Sequence, residues 1–363
     1  VISDFEGIVN INKPVGITSF DVVSKLRRLF KIKRIGHCGT LDPFASGVLP
    51  VCIGRSTSAV RYMDNYDKKY RVEMVFGAKT DTQDRTGEVV FTNPPSANTL
   101  DLIRDNNYQL IRDGLSELAR LELQLPPMYS AIKIDGKQLY KYARAGIEVE
   151  RKPRHIKIYS AELISASADG QLRATVDIAC SKGTYIRTVC SDLGDNLTFG
   201  AYADSLVRTQ CGPFKIEDSI TLEELAEVLG KVKENEKSLF ESHKAFQPVS
   251  FALSHLKKVV LEKKTALRLI QGQKVYVSEQ LTDNNYEDEE VLFVTDESGN
   301  FIGIVHTMTE ALETENEVVD EHANEHAKRN VPLARSVPLA RSVKKGDQYF
   351  KTERIFADVK DFR

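Results

Sequence analysis

The chain has 363 residues, 41% hydrophobic and 28% charged, with a formal net charge of −2; that composition suits a folded protein of two domains and excludes a disordered or fibrous one. No apolar run reaches the length of a membrane span and the N-terminus has no signal-peptide pattern, so no membrane partner is expected. The near-zero charge is an average: residues 1–280 hold 40 Lys and Arg against 34 Asp and Glu, residues 281–327 hold 14 acids and no Lys or Arg, and residues 328–363 hold 10 cations against 4 acids.

A basic body carrying one acidic segment leaves an RNA partner open. Five cysteines (Cys38, Cys52, Cys180, Cys190, Cys211) form no CxxC pair, which points to reduced thiols and a cytoplasmic setting. Residues 8–12 (IVNIN) alternate as a strand and Lys13-Pro14-Val15-Gly16 turns away from it. Thr18 or Ser19 caps a helix with Val22, Val23, Leu26 and Leu29–Phe30 on its apolar side. Lys25, Arg27, Arg28, Lys31, Lys33 and Arg34 lie on or just beyond its polar side, a solvated face that also suits a phosphate-rich partner.

Residues 36–50 read GHCGTLDPFASGVLP, with one acid, Asp42, among apolar neighbours. Pro43 biases Asp42 towards an extended backbone, and the glycines let the chain turn sharply. Leu41, Phe44, Val48 and Leu49 are expected to pack beneath a buried carboxylate, which is costly unless paired. An Asp-Pro turn bonding its own backbone is the plainer alternative.

Gly54–Tyr66 reads as helix and Lys68–Gly77 as a strand, in which Tyr70 is either a core aromatic or a platform for a base. Thr80–Gly87, with Asp84, is a polar loop. Residues 98–120 read as helical, then Pro126 and Pro127 hold the chain extended. Gly136 precedes a short helix, Lys137–Ala145, closed by Gly146. Lys133, Lys137, Lys141 and Arg144 interleave with Tyr129, Tyr140 and Tyr142, a mixture suited to unpaired nucleotides.

Arg151–Lys157 is a basic cluster before a strand, and residues 172–180 alternate into CSKGTYIRT. If that alternation resumes after Gly183, Tyr185 and Arg187 face the same way. An inward arginine needs an acid and Asp42 needs a cation, so this pair is expected, with Asp192 and Asp195 as alternative partners for the arginine. Leu206–Phe214 closes the first domain's sheet, and 221–244 is a charged helical stretch. Residues 258–363 read as a small β-rich domain, with a helix within Lys257–Val275 and strands near 291–295 and 301–306. An acidic, then repetitive, insert at 308–346 interrupts it, with VPLARS at 331–336 and again at 337–342.

Other chemistries lack their residues. There is no phosphate-binding loop, dinucleotide fingerprint or nucleophile elbow. His322 and His326 share a helical spacing, but the glutamates around them do not match a zinc-protease helix. What remains is a cofactor-free site of one buried aspartate, one arginine and several tyrosines.

NKPVGITSFDVV, GHCGTLDPFASGVLP, KKYRVEMVFGAKTDTQDRTG, QLPPMYSAIKIDGKQLYKYARAG, CSKGTYIRT and SLVRTQCGPF occur in that order. Together they resemble the TruB family, the stand-alone tRNA pseudouridine-55 synthases, over about residues 8–257; the C-terminal part resembles a PUA domain. The resemblance implies an α+β pseudouridine-synthase fold: a central mixed, mostly antiparallel sheet flanked by helices, plus a small C-terminal PUA-like β-barrel. It implies a catalytic domain over 1–257 with a T-arm-binding insert at about 124–152, and an RNA-binding domain over 258–363 interrupted at about 308–346.

It further implies a monomer that turns a T-loop uridine of tRNA into pseudouridine with no cofactor or metal, reaching the acceptor stem through the C-terminal domain. Asp42 matches the nucleophile, and Arg187 its partner, expected to hold it ionised. Tyr70 matches the tyrosine stacking on the base and implicated in removing the C5 proton. Tyr185 and Leu206 match the base-pocket lining, and His37 the histidine holding extruded nucleotides. Lys13, Asp84, Lys133 and Arg144 complete the expected substrate-binding set. Rival readings are an RNA-folding factor on the same fold, a guide-RNA-dependent enzyme subunit and, remotely, a metal-dependent hydrolase.

Overall fold

The alternation at residues 8–12 folds as the strand Gly7–Lys13, paired antiparallel with Ser46–Ile53. The computed structural model describes residues 5–231, 243–282, 285–309 and 347–357, and the chain divides into two units, Val1–Leu253 and Ser254–Arg363. In the first, a nine-stranded sheet runs Ile158–Ser167, Arg173–Cys180, Lys68–Phe76, Ala201–Cys211, Ser46–Ile53, Gly7–Lys13, Phe246–Gln247, with Ile35–His37 and Phe214–Lys215 attached at its side. Ala201–Cys211 and Ser46–Ile53 run parallel; the other neighbours are antiparallel. The sheet is thus mixed and mostly antiparallel. Ala201–Cys211 lies in its middle rather than closing it, because both of its edges are paired.

Helix Ser19–Phe30 starts at a capping box. The Thr18 hydroxyl accepts from the Asp21 amide at 3.0 Å and the Asp21 carboxylate accepts from the Thr18 amide at 2.8 Å. It buries Val22, Val23, Leu26 and Phe30, while Leu29 stays exposed. The 98–120 stretch is two helices, Ala97–Asp105 and Gln109–Leu118, separated where Asn107 and Tyr108 take positive φ. The expected helix Lys137–Ala145 shrinks to Leu139–Ala143, because Lys137 and Gln138 pair with Lys133 and Ile134 across an Asp135-Gly136 turn.

The largest departure follows Gly183. The chain does not resume a strand: Tyr185 caps the helix Ile186–Asn196, so Arg187 sits in a first helical turn. Ile186, Val189, Cys190 and Leu193 recur at the i, i+3, i+4, i+7 spacing and are all buried; that period outweighs a two-residue alternation.

The second unit is a five-stranded sheet ordered Lys257–Leu261, Val291–Asp296, Phe301–Thr309, Gln348–Ile355, Val275–Tyr276. The first pair is parallel and the rest antiparallel. A bridge from Leu261 to Gln280 brings its two ends towards each other, the curl of a PUA-like half-barrel. The helix expected within Lys257–Val275 is Lys263–Ile270, which carries Lys263, Lys264 and Arg268, and the strand Lys257–Leu261 precedes it. Met308 and Thr309 end a strand; the rest of the expected insert, with His322, His326 and both VPLARS copies, lies outside the described residues. No helix among the described residues is long and apolar enough to cross a membrane.

Candidate active site

The Asp42 loop is fastened from both sides by the N-terminal segment. The Leu41 amide donates to the Ser19 hydroxyl at 2.9 Å, and that hydroxyl lies 3.2 Å from the Leu41 carbonyl. The Gly16 amide donates to the Pro43 carbonyl at 2.8 Å, and the Ala45 amide to the Asp42 carbonyl at 3.1 Å. Leu41, Phe44, Val48 and Leu49 are buried below, as their apolar character requires. Two neighbouring sequence stretches therefore hold one carboxylate in place.

The expected pair forms. Arg187 Nε donates to Asp42 Oδ2 at 2.8 Å. Its other nitrogens are also committed, Nη1 to the Thr82 carbonyl at 2.7 Å and Nη2 to the Tyr129 carbonyl at 2.8 Å. Asp84 Oδ2 stands 3.9 Å from Nε, whereas Asp195 pairs with Lys79. One expectation is corrected: the Asp42 side chain is 38% exposed and the Arg187 side chain 3%. The arginine carries the burial, and the acid faces open space where a substrate can reach it.

Asp84 and Lys13 were expected among the substrate contacts, but both lie under the site. Asp84 accepts from the Thr82 hydroxyl at 2.9 Å and from the Thr86 amide and hydroxyl at 2.9 and 2.5 Å. Lys13 is fully buried and donates to the Pro14 and Ile17 carbonyls at 2.9 and 2.7 Å. Burial pushes its ammonium down to about 8, against the pull of Asp42. Buried charges need internal partners, and these have taken theirs from the protein.

Tyr70 lies opposite Arg208 on the neighbouring strand, where the guanidinium charge favours the ionised phenol. Burial pushes that phenol up to about 12 even so. His37 is half-buried, held below the ordinary imidazole range by burial and the Arg208 charge, and its Nδ1 is buried without a partner. Tyr185, pushed up by burial, feels the charges of both Asp42 and Arg187. Its backbone is tied to Gln124, whose Oε1 accepts from the Tyr185 amide at 2.8 Å while Nε2 donates to the Tyr185 carbonyl at 3.1 Å. Leu206 is buried. Lys133 and Arg144 are exposed in the segment 124–152, and Arg144 lies over the Tyr140 ring.

Sequence reasoning missed Arg208, 1% exposed in the middle of the sheet. A signal was available: Arg208 stands two residues after Leu206 on one strand, so alternation puts both on the same face. Gln124 and the carbonyls of Thr82 and Tyr129 carry no such mark. Among the described residues no three His, Cys, Asp or Glu side chains gather as a metal ion would require.

Residues 27–186 match the N-terminal domain of the TruB family pseudouridylate synthases, and residues 187–267 match the tRNA pseudouridylate synthase B C-terminal domain. A protein of Bacillus licheniformis named tRNA pseudouridine synthase B is 39% identical over 270 residues, 74% of this chain and 82% of that one.

The chain belongs to the TruB family.

A second TruB relative, from Symbiobacterium thermophilum and of the same name, is 43% identical over 272 residues, 74% of this chain and 83% of that one. A chain in the crystal structure of a Cbf5-Nop10-Gar1 complex aligns at a TM-score of 0.67 with 23% identity, over 98% of this chain and 86% of that one; the likeness is one of fold. The α+β architecture is thus the pseudouridine-synthase fold; Asp42, Tyr70 and His37 lie within the TruB N-terminal match, and Arg187 is the first residue of the C-terminal match.

Proposed function

We propose that this chain is a tRNA pseudouridine synthase that isomerises a uridine of the T loop, with Asp42 as the nucleophile. The observation that carries the reading is the half-exposed Asp42 carboxylate fixed at 2.8 Å by a buried guanidinium whose other nitrogens are committed to backbone carbonyls. The tRNA substrate is supported by relatives named tRNA pseudouridine synthase B at 39 and 43% identity.

The isomerisation breaks the bond from uracil N1 to ribose C1′ and forms one from C5 to C1′; C5 gives up its proton and N1 gains one, so the product is an isomer of the substrate. The base has to be freed, turned and re-attached without escaping, which calls for a flipped-out nucleotide in a tight pocket. Arg187 fixes the direction of Asp42 through Oδ2; Oδ1, with no hydrogen bond among the described residues, is left for the substrate. Tyr70 stacks on the base. With its hydroxyl pushed up to about 12, it is a phenol at neutral pH, so it can take the C5 proton only by handing on its own. Tyr185 and Leu206 line the pocket, and His37, uncharged at neutral pH, holds extruded nucleotides.

On this reading residues 1–257 are the catalytic domain and the arm at 124–152 grips the T arm through Lys133 and Arg144. Residues 258–363 extend the grip to the acceptor stem, and one copy of the chain suffices. The test is pseudouridine mapping on a T-arm stem-loop transcript incubated with the purified chain. Asp42→Asn is expected to cut formation by more than about a thousandfold while RNA affinity stays within about threefold. Pseudouridine made by that variant, or a requirement for a guide RNA, would refute the reading.

A further inference from the structure

We propose that Arg208 is the positioning residue that locks the Asp42 loop and Tyr70 into one unit, and that Gly39 and Gly47 are glycines because of it. This rests on the proposed roles of Asp42 and Tyr70.

The guanidinium is buried in mid-sheet. Its Nε donates to the Val48 carbonyl at 2.7 Å and its Nη2 to the Gly39 carbonyl at 2.9 Å. Those carbonyls bracket the segment that carries Asp42, so one planar group pins both ends of the loop. The same guanidinium stands beside Tyr70, its register partner on the neighbouring strand, and its charge bears on the Tyr70 phenol. A lysine presents one compact ammonium and does not reproduce a planar fork that meets two separate carbonyls while standing beside Tyr70.

The glycines report the same closeness from the other side. A Cβ on Gly47 would stand 2.3 Å from the Arg208 carbonyl oxygen and 2.9 Å from its amide nitrogen. One on Gly39 would stand 3.2 Å from Arg208 Nη1. Both glycines also take positive φ. Loop, strand and guanidinium are therefore packed to backbone contact. No carboxylate pairs with Arg208 among the described residues; its positive charge is met by the Val48 and Gly39 carbonyl dipoles. A buried charge supported in this way fixes direction more than it adds stability.

The experiment compares Arg208→Lys alone and on a Tyr70→Phe background in the full chain, by single-turnover rate on the T-arm stem-loop, RNA affinity and melting temperature. Arg208→Lys alone should lose at least about tenfold in rate with affinity within about threefold; on Tyr70→Phe the further loss should fall below about threefold, the non-additivity expected of coupled groups. Should Arg208→Lys fail to fold, Gly39→Ala, which presses on Nη1, should give the same pattern. An unchanged rate in the folded variant, or equal losses in both backgrounds, overturns the proposal. Either result beside an inactive Asp42→Asn leaves the proposed function standing; an active Asp42→Asn removes that reading itself.

Discussion

The site around Asp42 and the arm at 124–152 are built on opposite principles. In the site, Arg187 and Arg208 are 3 and 1% exposed, and each spends its nitrogens on named acceptors. In the arm, Lys133, Lys137, Lys141 and Arg144 are exposed; Lys137 lies 4.4 Å from the Tyr142 ring centre and Arg144 5.4 Å from that of Tyr140. A two-residue hairpin and a five-residue helix carry them. The site has lost its freedom in advance, as chemistry requires. The arm keeps cations available to phosphates and aromatic faces available to bases. Changes in the site should therefore alter turnover, and changes in the arm should alter affinity.

Arg187→Met should break that division most severely. Turnover is expected to fall about a hundred- to ten-thousandfold, and removing the cation from beside buried Asp84 should cost about 3 kcal/mol of stability. Single-turnover kinetics and denaturant titration check the two, and RNA affinity within threefold of wild type would keep the residue on the chemical side. Lys133→Ala and Arg144→Ala together should weaken stem-loop binding about three- to tenfold, and lower the slope of log affinity against log salt by about 0.7–0.9 per residue. The rate at saturating RNA should stay unchanged; a lower saturated rate would move the arm into the chemistry.

A smaller effect separates stability from both. Asp192 lies on the same helix as Arg187. Burial, with the Asp195 charge beside it and Lys79 opposing, lifts its carboxyl from 3.8 to about 6. The folded chain thus holds this proton more tightly than the unfolded one. Stability falls as pH rises from about 4 to about 6, and the full cost is carried above that range. Asp192→Asn should raise stability at pH 8 by on the order of 1–2 kcal/mol, with the gain fading towards pH 4 and turnover unaffected. Melting curves at the two pH values decide it; an equal gain at both would mean that the carboxyl's charge is not the cause.

Part of this architecture is legible because it is local. Thr18 or Ser19 announces a helix start, the aromatic and β-branched run Lys68–Phe76 announces a strand, and Asp42 in an apolar loop announces a need for a cation. The Arg187 pairing follows from that need, yet the element carrying it was misread: two positions of alternation after Gly183 weigh less than the helical recurrence of Ile186, Val189, Cys190 and Leu193. The exposure of Asp42 and the burial of Arg187 leave no mark in a sequence, because each depends on what other segments place over it.

The sequence by itself determined the family, through six ordered motifs, and the chemical identity of the reacting groups, because residue type sets what a side chain can donate, accept or attack. Only the tertiary structure decided that Arg208 reaches across from a middle strand to Gly39 and Val48 and stands opposite Tyr70, that Asp84 and Lys13 lie beneath the site, and that the acid is the open member of its ion pair. Those outcomes depend on contacts between residues more than a hundred positions apart in several cases, and strand order and register, rather than spacing along the chain, bring such residues together.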